Sequence, residues 1–207
     1  MKDKVKNVAA AVLAGGKNSR MAGQNKAFID IHGVPIIKRT IDFLDEIFEE
    51  IIIVTNVTEN FNLYEDKVLL TKDIFRDAGP LGGIHSALTH TSKDAVFVVA
   101  CDMPFLSSHI IRTQTNCSTM LHCDCIVPRI GSCIEPLHAV YNKHVKDAVS
   151  EYIVNGNDKS IKNFLTTVNA YYLDLADNDS NRKIFCNVNT PHDLTVITGN
   201  YDGDLIK

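Results

Sequence analysis

Short continuous apolar runs alternate along this chain with stretches whose apolar positions recur at helical spacing. Val8–Ala14 is apolar throughout and ends at Gly15-Gly16, the pattern of a strand buried on both faces in a parallel sheet. A loop of small and polar residues follows over Gly15–Gln24, and Phe28–Ile31 then alternates as a short strand before a turn at His32-Gly33. Pro35 suits the first position of a helix, where its missing N–H costs nothing, and Ile37, Ile41, Leu44 and Phe48 follow at helical spacing. Ile51–Thr55 predicts a second buried strand and Lys67–Leu70 a short third. Gly82–His90 predicts a helix entered through the loop Gly79-Pro80-Leu81-Gly82-Gly83. Ala95–Ala100 is the most strand-like run of all, and it stops at Cys101-Asp102.

Beyond it, Ser107–Asn116 predicts a helix, Cys125–Val127 and Ala139–Tyr141 extended segments, and Asn142–Val154 another helix. Ile161–Leu165 predicts a short helix, Tyr171–Leu175 a last strand, and Pro191–Ile197 the start of a final helix behind a loop at Asn187–Pro191. Alternation of this kind implies an α/β fold: a doubly wound, mostly parallel, Rossmann-like sheet with right-handed crossovers. No repeat, low-complexity stretch or linker divides it, so residues 1–207 are read as one domain with frayed ends at 1–6 and 201–207.

Net charge is −4, which lacks the basic surface of a general nucleic-acid binder. The apolar runs fall far short of the roughly 20 residues of a membrane span, and the charged Met1–Asn7 segment is not a secretory signal. Six cysteines without a C-x-x-C pair suit a reduced, cytoplasmic setting. His122, Cys123, Cys125 and Cys133 form a candidate zinc cluster. Their C-x-C spacing on a strand would send both thiols to one face, but no paired knuckle is present, so they are read as ordinary core and surface residues.

The chemistry concentrates in two places. Leu13-Ala14-Gly15-Gly16-Lys17-Asn18-Ser19-Arg20-Met21, followed by Asn25-Lys26, leaves the carboxyl end of the first strand, where open α/β sheets bind ligands. Glycines there let backbone N–H groups approach phosphate oxygens, and Lys17, Arg20 and Lys26 add positive charge. The loop is neither a Walker A sequence nor G-x-G-x-x-G. The second place is Asp102, at the tip of the Ala95–Ala100 strand before Met103-Pro104, a natural Mg²⁺ ligand beside nucleotide phosphates.

Leu13-Ala14-Gly15-Gly16, Ser19-Arg20-Met21 and Lys26 resemble the signature L-A-G-G-x-S-x-R-M-G-x-D-K of molybdenum cofactor guanylyltransferases, members of the nucleotidyltransferase superfamily. Gly79-Pro80-Leu81-Gly82-Gly83-Ile84, Val99–Pro104, Glu135-Pro136-Leu137-His138-Ala139-Val140-Tyr141 and Asn187-Val188-Asn189-Thr190-Pro191 are similar to later segments of that family, in family order. The chain departs at Asn25, where the family has aspartate, and at Ala22, where it has glycine. The resemblance implies that GMP moves from GTP to the phosphate of molybdenum-molybdopterin, with Mg²⁺ as cofactor. It implies that Leu13, Ala14, Gly15, Gly16, Asn56 and Asp73 hold the nucleotide, Asp73 toward the guanine and ribose. Lys26 and Arg20 would act on the phosphates, Asp102 would bind the metal, and Gly82, Asn187 and Asn189 would lie toward the acceptor. Molybdenum-insertion proteins and apo-molybdoenzymes are the partners implied. A related transferase using CTP or another phosphorylated acceptor, and a non-catalytic nucleotide-binding maturation protein, are the alternatives; retention of Lys26 and Asp102 argues against the latter. His85 and His138 are candidate bases, less expected in that role than as pocket-lining or helix-surface side chains.

Overall fold

A computed structural model of the protein describes residues 3–15, 20, 21, 24–156, 158–188 and 193, with residues 20, 21, 24 and 25 described by their backbone alone. The first strand, β1 (Val8–Leu13), is followed by two small antiparallel ribbons, β2 (Arg20–Met21) with β3 (Gln24–Asn25) and β4 (Asp30–Ile31) with β5 (Val34–Pro35); Lys26–Phe28 between them forms a 3-10 turn. Then come α1 (Ile36–Asp45), β6 (Ile51–Val54), a 3-10 segment at Thr58–Tyr64, β7 (Leu69–Thr71), α2 (Pro80–His90), β8 (Ala95–Ala100) and α3 (Ser108–Met120). The chain continues through β9 (Cys125–Ile130), β10 (Cys133–Ile134), β11 (His138–Asn142), α4 (Lys146–Asn155), α5 (Ile161–Leu165), β12 (Ala170–Asp174) and α6 (Asp179–Ile184).

One eight-stranded sheet carries the molecule, in the order β10-β9-β11-β8-β1-β6-β7, with β12 also paired to β9. The pairs β1/β6, β1/β8, β6/β7 and β9/β12 are parallel, as the apolar runs predict. The exception is β11, which lies antiparallel between β8 and β9. It returns from the β9–β10 hairpin without a crossover helix, so it must run back against its neighbours.

Both faces of the sheet are covered. Val8, Ala10, Val12, Phe97 and Val99 pack under α1 and α3 with Ile37, Ile41, Leu44 and Ile111. Ala11, Val96 and Val98 pack under α2, α4 and α5 with Leu81, Ile84, Val149 and Phe164. The central β1 contributes Ala9, Ala10 and Ala11, all without exposure; such small side chains let the helices close in on either side.

Several local expectations change. Phe28 falls in the 3-10 turn, so the strand expected at Phe28–Ile31 is only Asp30–Ile31, and Asn142 ends β11, with α4 starting at Lys146. Pro35 is extended (ψ 143°) at the end of β5 and caps α1 rather than opening it, because its residue partner across the ribbon is Asp30. Cys123 and Cys125 serve opposite faces, since Cys123 packs with the α1/α3 layer and Cys125 with the α2/α4 layer. The strand begins only at Cys125, so period-two alternation does not reach back to Cys123. The 3-10 segment Thr58–Tyr64 and α6 are additions that the apolar pattern did not announce. The expected helix at Pro191–Ile197 and the ends at 201–207 lie outside the described residues, Asp193 apart.

Candidate active site

Because β7, β6, β1 and β8 are parallel neighbours, their carboxyl ends share one edge. Asp73, Asn56, Gly15 and Asp102 follow these four strands in that order across it. The ladder continues past the strand ends: Thr55 N–H donates to Thr71 O (2.9 Å), Ala14 N–H to Val54 O (2.9 Å) and Cys101 N–H to Leu13 O (3.2 Å). The edge is therefore built on paired backbone, which places side chains more reproducibly than a free loop does.

At one end, Asn56 and Asp73 hold each other. Asn56 Nδ2 donates to Asp73 Oδ2 at 2.8 Å, and the Asp73 N–H donates back to Asn56 Oδ1 at 3.3 Å. A methyl added to Gly15 would sit 3.5 Å from Asp73 Oδ2 and 3.8 Å from Asn56 Nδ2, so this pair stands directly against the backbone of the glycine loop. Burial pushes the Asp73 carboxyl above its ordinary range, with the Asn56 bond opposing. The first turn of α2 completes this end. A Cβ on Gly82 would meet Phe75 O at 2.8 Å, a distance backbone cannot yield to, and one on Gly83 would meet Leu13 Cδ2 at 3.0 Å. Gly82 is required by this close approach of helix and loop, whereas at Gly83 the Leu13 side chain would have to give way.

At the centre, Lys26 Nζ lies 3.6 Å from Asp102 Oδ2, with the two side chains only 11% and 20% exposed. Burial raises the Asp102 carboxyl above its ordinary range, and the Lys26 ammonium opposes that rise. The Asp102 carbonyl accepts the Val188 N–H at 2.8 Å, and Val188 is buried with Ile31 and Ile36. That bond brings Asn187 to the same place, though its residue is exposed. Lys183 of α6 covers the ring of Phe105, 4.8 Å from its centroid, on the chain just after Asp102.

Of the residues singled out by sequence, Leu13, Ala14, Gly15, Asn56, Asp73, Lys26, Asp102 and Asn187 gather along this edge. Gly82 lies with them at the Asp73 end, its Cβ position 3.9 Å from Asp73 Oδ1, and not toward Asn187 as expected; the turn of α2 packs on the 73–78 loop. Gly16, Asn189 and the Arg20 side chain lie outside the described residues, as do Ala22 and the Asn25 side chain. Glu135 opens the Glu135–Tyr141 segment, and the sequence alone assigns it no role. It sits half-buried beside Asp102, and burial raises its carboxyl, with the Leu137 N–H, Lys162 and Asp102 as its other electrostatic neighbours.

His138 is not a base. It is fully buried between Phe97 and Phe185, ring centroids 4.9 and 5.1 Å away, and neither ring nitrogen has a hydrogen-bond partner among the described residues. Burial lowers its pKa to about 4. The unfolded chain takes up a proton at this residue near pH 6.5 and the folded one does not, so the stability it confers is complete above 6.5 and is lost as pH falls toward 4. The loss is on the order of 3 kcal/mol. His138→Phe should flatten that part of the stability curve in denaturant titrations. A variant that loses stability over the window as steeply as the wild type would clear His138 of the effect. His85 is also buried, edge-on to Phe75 at 4.7 Å, and burial lowers its pKa.

Away from this edge, a depression of about 450 Å³ at the opposite end of β8 and β11 is lined by His122, Cys123, Asp124 and His144. Its polar groups bind one another: His144 Nε2 meets Asp124 Oδ1 at 2.7 Å, and Asn142 Nδ2 donates to Cys123 O at 2.6 Å. No helix among the described residues is long and apolar enough to cross a membrane.

Residues 10–171 match the model of the MobA-like NTP transferase domain. The chain belongs to this family. It is accordingly an enzyme, a nucleotidyltransferase. A relative from Clostridium perfringens (strain 13), named "Probable molybdenum cofactor guanylyltransferase", is 40% identical over 74% of this chain and 75% of its own. One of the same name from Natranaerobius thermophilus is 34% identical over 91% of this chain and 93% of its own. The crystal structure of molybdopterin-guanine dinucleotide biosynthesis protein A from Archaeoglobus fulgidus superposes with a TM-score of 0.77 at 25% identity, covering 93% of this chain and 97% of that one.

Proposed function

We propose that this MobA-like enzyme transfers GMP from GTP to the terminal phosphate of molybdenum-molybdopterin, giving the guanine dinucleotide form of the cofactor and pyrophosphate. The names of the relatives support the reaction class. The observation that carries the choice of base is the Asp73 carboxylate, held by Asn56 against Gly15 and Gly82. Guanine offers an N1–H and an exocyclic amine side by side, and one carboxylate accepts from both; cytosine lacks the pair. With the base there, the phosphates lie over the Gly15 backbone toward Lys26 and Asp102.

The acceptor phosphate oxygen forms a bond to the α-phosphorus of GTP while the bond to the bridging oxygen breaks and pyrophosphate leaves. The nucleophile is already an anion, so no strong base is needed, in keeping with a buried neutral His138. Catalysis of such a step is positioning and charge neutralisation. Lys26 brings a positive charge from a nearly enclosed position, where it is screened little. Asp102 suits Mg²⁺: a hard oxygen donor at a strand tip whose burial disfavours its own charge is stabilised by a cation, and Mg²⁺ binds through one or two carboxylates together with substrate phosphates. Bound there, Mg²⁺ would neutralise charge developing on the phosphates. Asn187 and Asn189 belong to the acceptor side, and Gly82 moves to the nucleotide side.

The test is incubation of the protein with each NTP, Mg²⁺ and molybdopterin, followed by mass analysis of the cofactor. GTP should be used in preference to CTP and ATP, and Asp73→Ala should erode that preference, with Asn56→Ala doing so more weakly. Equal use of CTP and GTP by the wild type would defeat this function in favour of a cytidylyltransferase. A GTP preference that survives Asp73→Ala would keep the function and remove Asp73 from base recognition.

A further inference from the structure

The row along the sheet edge does not end at Asp102. Beyond β8 comes β11, and the turn that leads into it brings Glu135 to the same edge by a separate route. Ala100 N–H donates to Leu137 O at 3.1 Å, extending the antiparallel pairing of His138 with Val99, and the His138 N–H closes a tight turn onto Glu135 O at 3.2 Å, so Glu135–Leu137 lies alongside Ala100–Asp102. Glu135 Oε1 accepts the Leu137 N–H at 3.2 Å; Oε2 has no hydrogen-bond partner among the described residues. Lys162, at the start of α5, favours the ionised form, and Asp102 opposes it.

A half-buried carboxylate beside another carboxylate is costly unless something is there for it to bind. If the base of the nucleotide occupies the Asp73 end and the phosphates the Gly15–Lys26 stretch, the acceptor enters over Asp102 and reaches Glu135 next. The anionic end of that acceptor gains nothing from a carboxylate, whereas paired N–H donors do. A pterin carries such a pair, its 2-amino group beside the N3–H, the same arrangement that guanine shows to Asp73.

We propose that Glu135 is the acceptor-side specificity residue, accepting hydrogen bonds from the paired N–H donors on the aminopyrimidinone edge of the pterin. The two ends of the site thus read the same donor pair, once in the nucleotide and once in the acceptor. This rests on the reading that the acceptor is a molybdopterin.

The test compares binding of pterin and of lumazine, in which an oxygen replaces the 2-amino group, to the full chain with GTP and Mg²⁺ present, followed by ring fluorescence. The wild type should bind pterin more tightly by on the order of tenfold or more. Glu135→Gln, which keeps the shape, should lose that preference, Glu135→Asp should recover part of it, and neither should change GTP affinity. Equal binding of the two rings by the wild type, no measurable binding of either, or a preference that survives Glu135→Gln overturns the assignment. So does a change in the Mg²⁺ concentration needed for GTP binding, which would put Glu135 at the metal. If the wild type prefers pterin but passes no GMP to molybdopterin, the proposed reaction fails and the recognition stands; if it transfers GMP without a ring preference, only the role of Glu135 fails.

Discussion

Asp102→Ala should abolish nucleotidyl transfer, by roughly a thousandfold or more, while leaving the protein folded. The magnitude follows from the several kcal/mol of charge stabilisation that a catalytic metal contributes and that this carboxylate would hold in place. The fold should survive because what Asp102 gives the structure comes from its backbone: its carbonyl accepts the Val188 N–H, and alanine keeps that bond. Its carboxylate is disfavoured by burial in any case. The cost falls on Lys26, left in a nearly enclosed position without the partner at 3.6 Å, and Asp102→Asn serves as the control that keeps the shape without the charge. The measurement is single-turnover transfer together with thermal melting. Turnover at the wild-type rate by either variant would sink the metal assignment.

Lys26→Ala is the second large effect. An ammonium that meets the negative charge of the transferring phosphates contributes on the order of 2–4 kcal/mol at the transition state, so transfer should slow by roughly a hundredfold or more. Lys26 is held on a 3-10 turn between the two ribbons and is itself buried, which keeps its charge from relaxing into solvent. Its proximity to Asp102 makes a further demand. The two residues act on one set of phosphates, so Lys26→Ala combined with Asp102→Ala should cost much less than the sum of the single effects. A drop smaller than about threefold for Lys26→Ala would show that the side chain serves the fold and not the phosphates, whereas the donor loss taken as its measure is far larger.

Much of this protein is legible in its sequence because its central strands are buried on both faces. Such strands must be apolar at every position, and the runs Val8–Ala14, Ile51–Thr55 and Ala95–Ala100 stand out in the sequence, each ending within one residue of the observed strand. Their ends are equally plain, since Gly15 and Asp102 interrupt the apolar runs where the chain leaves the sheet, and parallel strands put those ends on one edge. What the sequence could not settle are the pairings between residues far apart in the chain. Nothing local to His138–Asn142 says that this strand inserts antiparallel between β8 and β9, because an apolar strand reads alike in either direction. That insertion carries Glu135 to Asp102 and encloses His138 between Phe97 and Phe185. The bond between Asn56 and Asp73 likewise exists only because β6 and β7 are neighbours in register. Gly82 shows the same limit from the other side. Its loop was recognised, but its place at the Asp73 end depends on how α2 docks on the 73–78 loop, a contact that no pattern along the chain encodes. Local composition determined the strands and their chemical tips; long-range packing decided which tips face one another.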